Sequence, residues 1–201
     1  MNRFTRASLA CFGAALVAAA LSAATVRAEE PAKPGAAPDA AAMAFPKPTP
    51  EHALLKAELG TWDADIEMAM APGQPAEHSK GVRTCTMRGE LWLVEDMAST
   101  MMGLPFQGLG VTGYDTAKGR FVCVWVDAMG TYVTNMEGSY DKASAALTFW
   151  AESPGPDGKM MKWRSVTQSP DANTRVWTAY MPTPDGKEFP GMKITYKRRK
   201  A

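Results

Sequence analysis

Histidine is nearly missing from this chain: His52 and His78 are the only two among 201 residues. Their spacing builds no metal site, and neither combines with a serine and an aspartate, or with a cysteine, in an arrangement suited to nucleophilic catalysis. His52 lies near the start of a short helical stretch and His78 in a loop after Pro75, so both are expected to be exposed. Cysteine is almost as scarce, at three residues, Cys11, Cys85 and Cys123. An excess of charge is absent too, with 22 Lys and Arg against 21 Asp and Glu. Such a balance carries no electrostatic footprint for nucleic acid, and the terminal Lys197-Arg198-Arg199-Lys200 is too short to supply one. Beyond Ala24 there is no apolar run long enough to form a stable membrane-spanning helix.

The single long apolar run, Ala7 to Ala24, comes after Arg3 and Arg6 and leads to Val26-Arg27-Ala28. That order of basic, apolar and small residues reads as a secretory signal over 1–28, with the mature chain starting at Glu29 in the periplasm or outside the cell. Removing Arg3, Arg6 and Arg27 leaves the remainder slightly acidic. Ser8 stands where a lipoprotein signal wants leucine, which argues against lipidation at Cys11. Residues 29–48 are Ala and Pro with scattered charge, including Pro31, Pro34, Pro38, Pro46 and Pro48. A segment of that kind buries too little apolar surface to offset its ordering entropy and reads as a linker. Residues 49–201 then form one domain.

Leu54, Leu55 and Leu59 recur at helical spacing behind Thr49 and Pro50, and Gly60 ends the helix. After Gly60 the period changes to two. Trp62, Ala64, Ile66, Met68 and Met70 alternate with polar residues as a half-buried strand does. Nine further strands are expected at Ser79–Arg88, Leu91–Thr100, Phe106–Tyr114, Arg120–Asp127, Thr131–Tyr140, Ala146–Glu152, Met160–Gln168, Thr174–Met181 and Met192–Arg198. The turn pairs Arg88-Gly89, Asp157-Gly158 and Asp185-Gly186 punctuate them. Two local repeats, Gly113-Tyr114-Asp115 with Ser139-Tyr140-Asp141, and Pro156-Asp157-Gly158-Lys159 with Pro184-Asp185-Gly186-Lys187, mark consecutive hairpins. An open meander of about ten strands leaves two adhesive edges, and closure removes them. The expected fold class is all-β, a single antiparallel meander closed into a barrel behind one short N-terminal helix.

Gly60-Thr61-Trp62, at the junction of helix and first strand, resembles the Gly-X-Trp signature of lipocalins and other calycins. The resemblance implies that Trp62 plugs one end of the barrel against a basic residue of the last strand, here Arg198. Across the whole domain, Glu51-His52-Ala53-Leu54-Leu55, Met101-Met102-Gly103-Leu104-Pro105-Phe106, Gly108-Leu109-Gly110-Val111-Thr112-Gly113-Tyr114-Asp115, Trp125-Val126-Asp127, Met136-Glu137-Gly138-Ser139-Tyr140-Asp141 and Ile194-Thr195-Tyr196 are similar, in order, to the bacterial DUF1579 family. That resemblance implies a calycin-like barrel and export, and it assigns no catalytic residue. Where the family has a Gly-Gly-Arg-Phe-like strand start, this chain has Gly89-Glu90-Leu91-Trp92.

Chemistry must come from side chains that strand phase turns inward. Phe121, Cys123, Trp125 and Asp127 share one face of their strand, and Val122, Val124 and Val126 share the other, so both faces are apolar. With Trp125 facing the lumen, Asp127 lies at its mouth, Arg164 reaches it from a later strand, and Glu137, in phase with Val133 and Asn135, adds a carboxylate. Trp125, Asp127, Arg164 and Glu137 are therefore the candidate ligand-binding residues. No catalytic residue, metal ligand or cofactor is assigned. Cys85 and Cys123 are expected as two separate buried thiols, because a meander places them on the second and fifth strands, beyond bridging distance. The methionines lack the Met-X-X-Met array of copper carriers and read as adaptable lining for an apolar pocket.

Three functions remain open on these grounds. The first is a barrel binding a small apolar or amphipathic ligand. The second is a cofactor-independent enzyme of isomerase or lyase type with a lumenal acid and an arginine. The third is a packed barrel acting through a partner on Val122, Val124 and Val126. Self-association into a homo-oligomer is compatible with each.

Overall fold

A computed structural model describes residues 45–155 and 157–200. The signal segment 1–28 and the linker as far as residue 44 lie outside the described residues. The described chain forms α1 (His52–Lys56) and ten strands: β1 (Gly60–Met68), β2 (Glu77–Arg88), β3 (Trp92–Met101), β4 (Leu104–Asp115), β5 (Arg120–Asp127), β6 (Thr134–Asp141), β7 (Ala146–Pro154), β8 (Met160–Asp171), β9 (Thr174–Pro182) and β10 (Glu188–Arg198). All neighbours pair antiparallel in sequence order, and β1 pairs with β10 to close the barrel. Closure leaves no strand edge unpaired, which is the physical reason a ten-strand meander is stable in this form. No helix among the described residues is long and apolar enough to cross a membrane.

Alternation along each strand sends one face to the lumen. In β1 this face is Trp62, Ala64, Ile66 and Met68, opposite the wet Asp63, Asp65 and Glu67. In β10 it is Met192, Ile194 and Tyr196. The register pairs Ile66 with Ile194 and Trp62 with Arg198. Strand β10 begins at Glu188, ahead of the expected Met192, because Pro190, which has no N–H to give, sits at an irregularity between Pro190 and Met192 and does not end the ladder. Strand β6 begins at Thr134, later than the expected Thr131.

The helix is shorter than the leucine spacing suggests, a little over one turn. Packing holds it against β3 and β4, with Leu55 buried. His52 is buried as well, contrary to the expected exposure. Its ring meets Tyr114 edge-on at 6.2 Å between centroids, and Nδ1 lies 2.9 Å from the Thr49 backbone nitrogen, accepting its hydrogen bond. Cys85 and Cys123 are free and buried on β2 and β5, separated by β3 and β4. Burial pushes both thiols up to about 12.

Candidate ligand-binding lumen

The end of the barrel where β1 begins is closed by Trp62, which is fully buried. Three guanidinium groups face its indole: Arg198 at 3.9 Å from the ring centroid, Arg175 at 4.9 Å and Arg83 at 5.2 Å. The indole Nε1 donates to the Glu58 carbonyl oxygen at 2.8 Å. Arg198 ties the last strand to the segment before the first by donating to the carbonyls of Leu59 and Ala57. Glu58, just past α1, bridges the other two arginines, accepting from Arg83 Nη2 at 2.6 Å and from Arg175 Nε at 2.5 Å. Buried charges persist when paired in this way. Arg83 also lies over the Tyr196 ring at 4.2 Å.

One further carboxylate stands at this floor. Glu95 Oε2 is 3.5 Å from Arg83 Nη1, and its side chain keeps 24% exposure although it points inward from β3. It lines the interior cavity, so this exposure opens to the lumen and not to the outside. Burial pushes its carboxyl above the ordinary value, Arg83 pulls it back, and Glu58 adds to the rise. Burial also opposes the charge on Arg83, yet Glu95 leads the groups that hold it above its usual range.

Above this floor the lumen encloses about 880 Å³. Close-packed interiors have few voids larger than a water molecule, so a space of this size is a built cavity, and it falls within the roughly 300–1,000 Å³ of small-molecule sites. Small residues at inward positions make the room, among them Ser153, Ser165, Thr167 and Ala179. Gly108 and Gly110 have a particular task. A Cβ built on Gly108 would stand 2.2 Å from Trp125 Cζ2, and one on Gly110 would stand 2.8 Å from Glu95 Cγ and 3.2 Å from Trp125 Cε3. The indole of Trp125 therefore lies flat across bare β4 backbone and forms a wall beside Glu95. At the opposite end the lining reaches solvent through Met70, Met129 and Tyr132, all exposed, which marks the mouth.

Two of the four residues named from sequence line this cavity, and two do not. Trp125 and Asp127 face inward on β5, joined by a 2.8 Å hydrogen bond from Trp125 Nε1 to Asp127 Oδ2. The other Asp127 oxygen accepts the Met129 backbone N–H at 2.8 Å, so this carboxylate is occupied in holding the wall and the mouth loop. Arg164 does not meet Asp127. It lies on the outer face over the Tyr180 ring at 4.0 Å and makes a two-point ion pair with Glu188, with Nη2 at 2.7 Å and Nε at 2.9 Å from Oε2. Glu137 also points outward, to Lys118 at 2.5 Å and Arg120 at 2.9 Å, which together hold its carboxyl below the ordinary value. The inward face of β8 is Met161, Trp163, Ser165, Thr167 and Ser169. Hydroxyl-bearing residues on the lumen side and Val166 on the other leave little apolar contrast, so alternation there does not reveal the phase. On β6 the inward residues are Thr134, Met136 and Tyr140, one step out of the expected phase.

Besides Asp127, and Asp171 at the end of β8, the charged lumenal residues are Glu58, Arg83, Glu95 and Arg175. For the three on strands, the signal in the sequence is a charge standing in an apolar phase: Arg83 with Cys85, Glu95 with Leu93 and Met97, Arg175 with Trp177 and Ala179. Among the described residues no three His, Cys, Asp or Glu side chains converge as a metal site requires.

Similarity to known proteins agrees with this architecture. The crystal structure of Rv2717c from M. tuberculosis superposes with a TM-score of 0.58 at 13% identity, over 77% of this chain and all of that one. The S-type phycobiliprotein lyase CPES from Guillardia theta gives a TM-score of 0.50 at 11% identity, over 75% of this chain and 93% of that one. At such identities the likeness concerns the fold. No curated protein sequence is a significant match. A family model does match, over residues 47–198, which span the helix and all ten strands. The chain thus belongs to the protein family of unknown function DUF1579.

Proposed function

We propose that this protein is an exported carrier or receptor for a small apolar or amphipathic molecule held in the barrel lumen. The observation that carries the reading is the 880 Å³ cavity, walled by Trp125, Met97, Met136, Phe149 and Trp177 and floored by a compact set of charges. An apolar chamber with a few convergent polar groups is what small-molecule sites share. A barrel acting only through its surface has no use for an open chamber, into which Trp125 would be pushed if Gly108 and Gly110 did not let its ring lie back against β4. Titration with the neutral apolar dye N-phenylnaphthylamine tests the reading: saturable binding at one site per chain is expected, and no saturable binding refutes it. Export rests on the order of residues in 1–28. N-terminal sequencing of protein from the native host is expected to begin at Glu29, and an intact Met1 form as the main species refutes export.

A further inference from the structure

Building on the lumen reading, we infer that the polar end of the ligand is a hydrogen-bond donor, an alcohol or an ammonium group, received by Glu95, and that carboxylate-ended molecules are discriminated against. The lumen floor sets Arg83 and Arg175 against Glu58 and Glu95, with Asp171, whose carboxylate accepts the Asn173 backbone N–H, beside Arg175. Both guanidinium groups are more than nine-tenths buried, which leaves an anion little surface to reach. Arg175 is 4% exposed and spends its donors on Glu58 and on the carbonyls of Asp171, Thr174 and Ala57. Arg83, 8% exposed, gives Nη2 to Glu58, lies against the Tyr196 and Trp62 rings, and keeps its Nε buried without a hydrogen-bond partner. The accessible charged group is Glu95, whose contact to Arg83 at 3.5 Å is too long for a strong hydrogen bond. Its oxygens keep free lone pairs facing an apolar chamber.

A carboxylate so weakly paired in such a place is costly, and a donor from the ligand relieves that cost. A ligand carboxylate would either face the charge of Glu95 or compete with it for a single proton. A hydroxyl or ammonium suits Glu95 in either protonation state. The flat Trp125 indole beside Glu95, backed by Gly108 and Gly110, gives the adjoining hydrocarbon a surface to lie on.

Calorimetric titration of the whole chain at neutral pH with n-decanol, n-decylamine and decanoate separates the outcomes. The alcohol and the amine are expected to bind at least roughly tenfold tighter than decanoate, the scale of leaving a buried charged group unpaired. Glu95→Gln is expected to narrow that gap, because an amide can donate to a carboxylate. Equal affinities, a preference for decanoate, or an unchanged gap in folded Glu95→Gln overturns the assignment of Glu95 and leaves the lumen reading standing. If none of the three binds and N-phenylnaphthylamine does not bind either, the lumen reading falls and this inference falls with it. Should Glu95→Gln fail to fold, the ranking of the three ligands on the unaltered chain decides alone.

Discussion

Gly108→Ala adds one methyl group where the structure has none to spare. Gly108 does not have a positive φ, so the backbone accepts alanine without strain, and the effect comes from the side chain alone. The new Cβ would fall 2.2 Å from Trp125 Cζ2 and 2.7 Å from Cη2. Restoring ordinary carbon contacts of about 3.5–4.0 Å requires the ring to withdraw by roughly 1.5 Å, and the free space lies in the lumen. That movement strains or breaks the Trp125 to Asp127 hydrogen bond, whose acceptor is charged and whose loss costs about 1.5–3 kcal/mol. An off-rotamer indole adds about 0.5–1.5 kcal/mol, while replacing glycine returns about 0.4–1 kcal/mol through the unfolded chain. The net expectation is a loss of about 2 kcal/mol, within the usual range for overpacking. Urea denaturation followed by circular dichroism measures it, and the same variant should bind N-phenylnaphthylamine more weakly because the ring now occupies the chamber. Unchanged stability together with unchanged dye binding would refute the account of the glycine-backed wall.

Trp62→Ala should cost about 3–5 kcal/mol in the same denaturation assay, since it removes a fully buried ring from between three guanidinium groups, and a loss below about 1 kcal/mol would contradict its role as the plug. The carboxyl of Glu95 has a raised folded-state pKa, so the folded chain retains the extra proton in the window above the ordinary 4.5, and the cost of ionising it is present in full only above that window. Glu95→Gln should therefore gain stability relative to the unaltered protein as pH rises through the window, and a difference independent of pH would refute the burial of this carboxylate. Cys85 and Cys123, pushed up to about 12, should react with a thiol reagent at mildly alkaline pH far more slowly in the folded protein than in urea. Two thiols should then appear without reductant, or three if Cys11 is retained, and finding none would refute the separation of the two strands.

The barrel is legible in the sequence because its evidence is repeated ten times: strand-length alternation, turn residues between strands, and no later segment with helical period. The plug is legible too, since Gly60-Thr61-Trp62 and Arg198 occupy the first and last strands, which closure brings side by side. Lumenal chemistry is harder to read. Phase on β5 is clear because Phe121, Cys123 and Trp125 end at Asp127, but β8 carries serine and threonine inward and Val166 outward, and a one-residue error exchanges the two faces. Such an error places Arg164 and Glu137 inside, while both make ion pairs on the outer surface. Glu95 and Arg83 escape sequence reasoning although each interrupts an apolar phase. Glu58, which neutralises Arg83 and Arg175 together from the turn after the helix, follows no strand period and becomes visible only when the barrel closes around it.

Mass spectrometry of the protein purified without detergent from its native host, sprayed under non-denaturing conditions, addresses the lumen most directly. The account predicts a mass excess from one small molecule per chain, released on denaturation and identifiable as apolar or amphipathic. A bare polypeptide mass, unchanged after incubation with neutral amphiphiles, would contradict the claim that the lumen is a binding chamber.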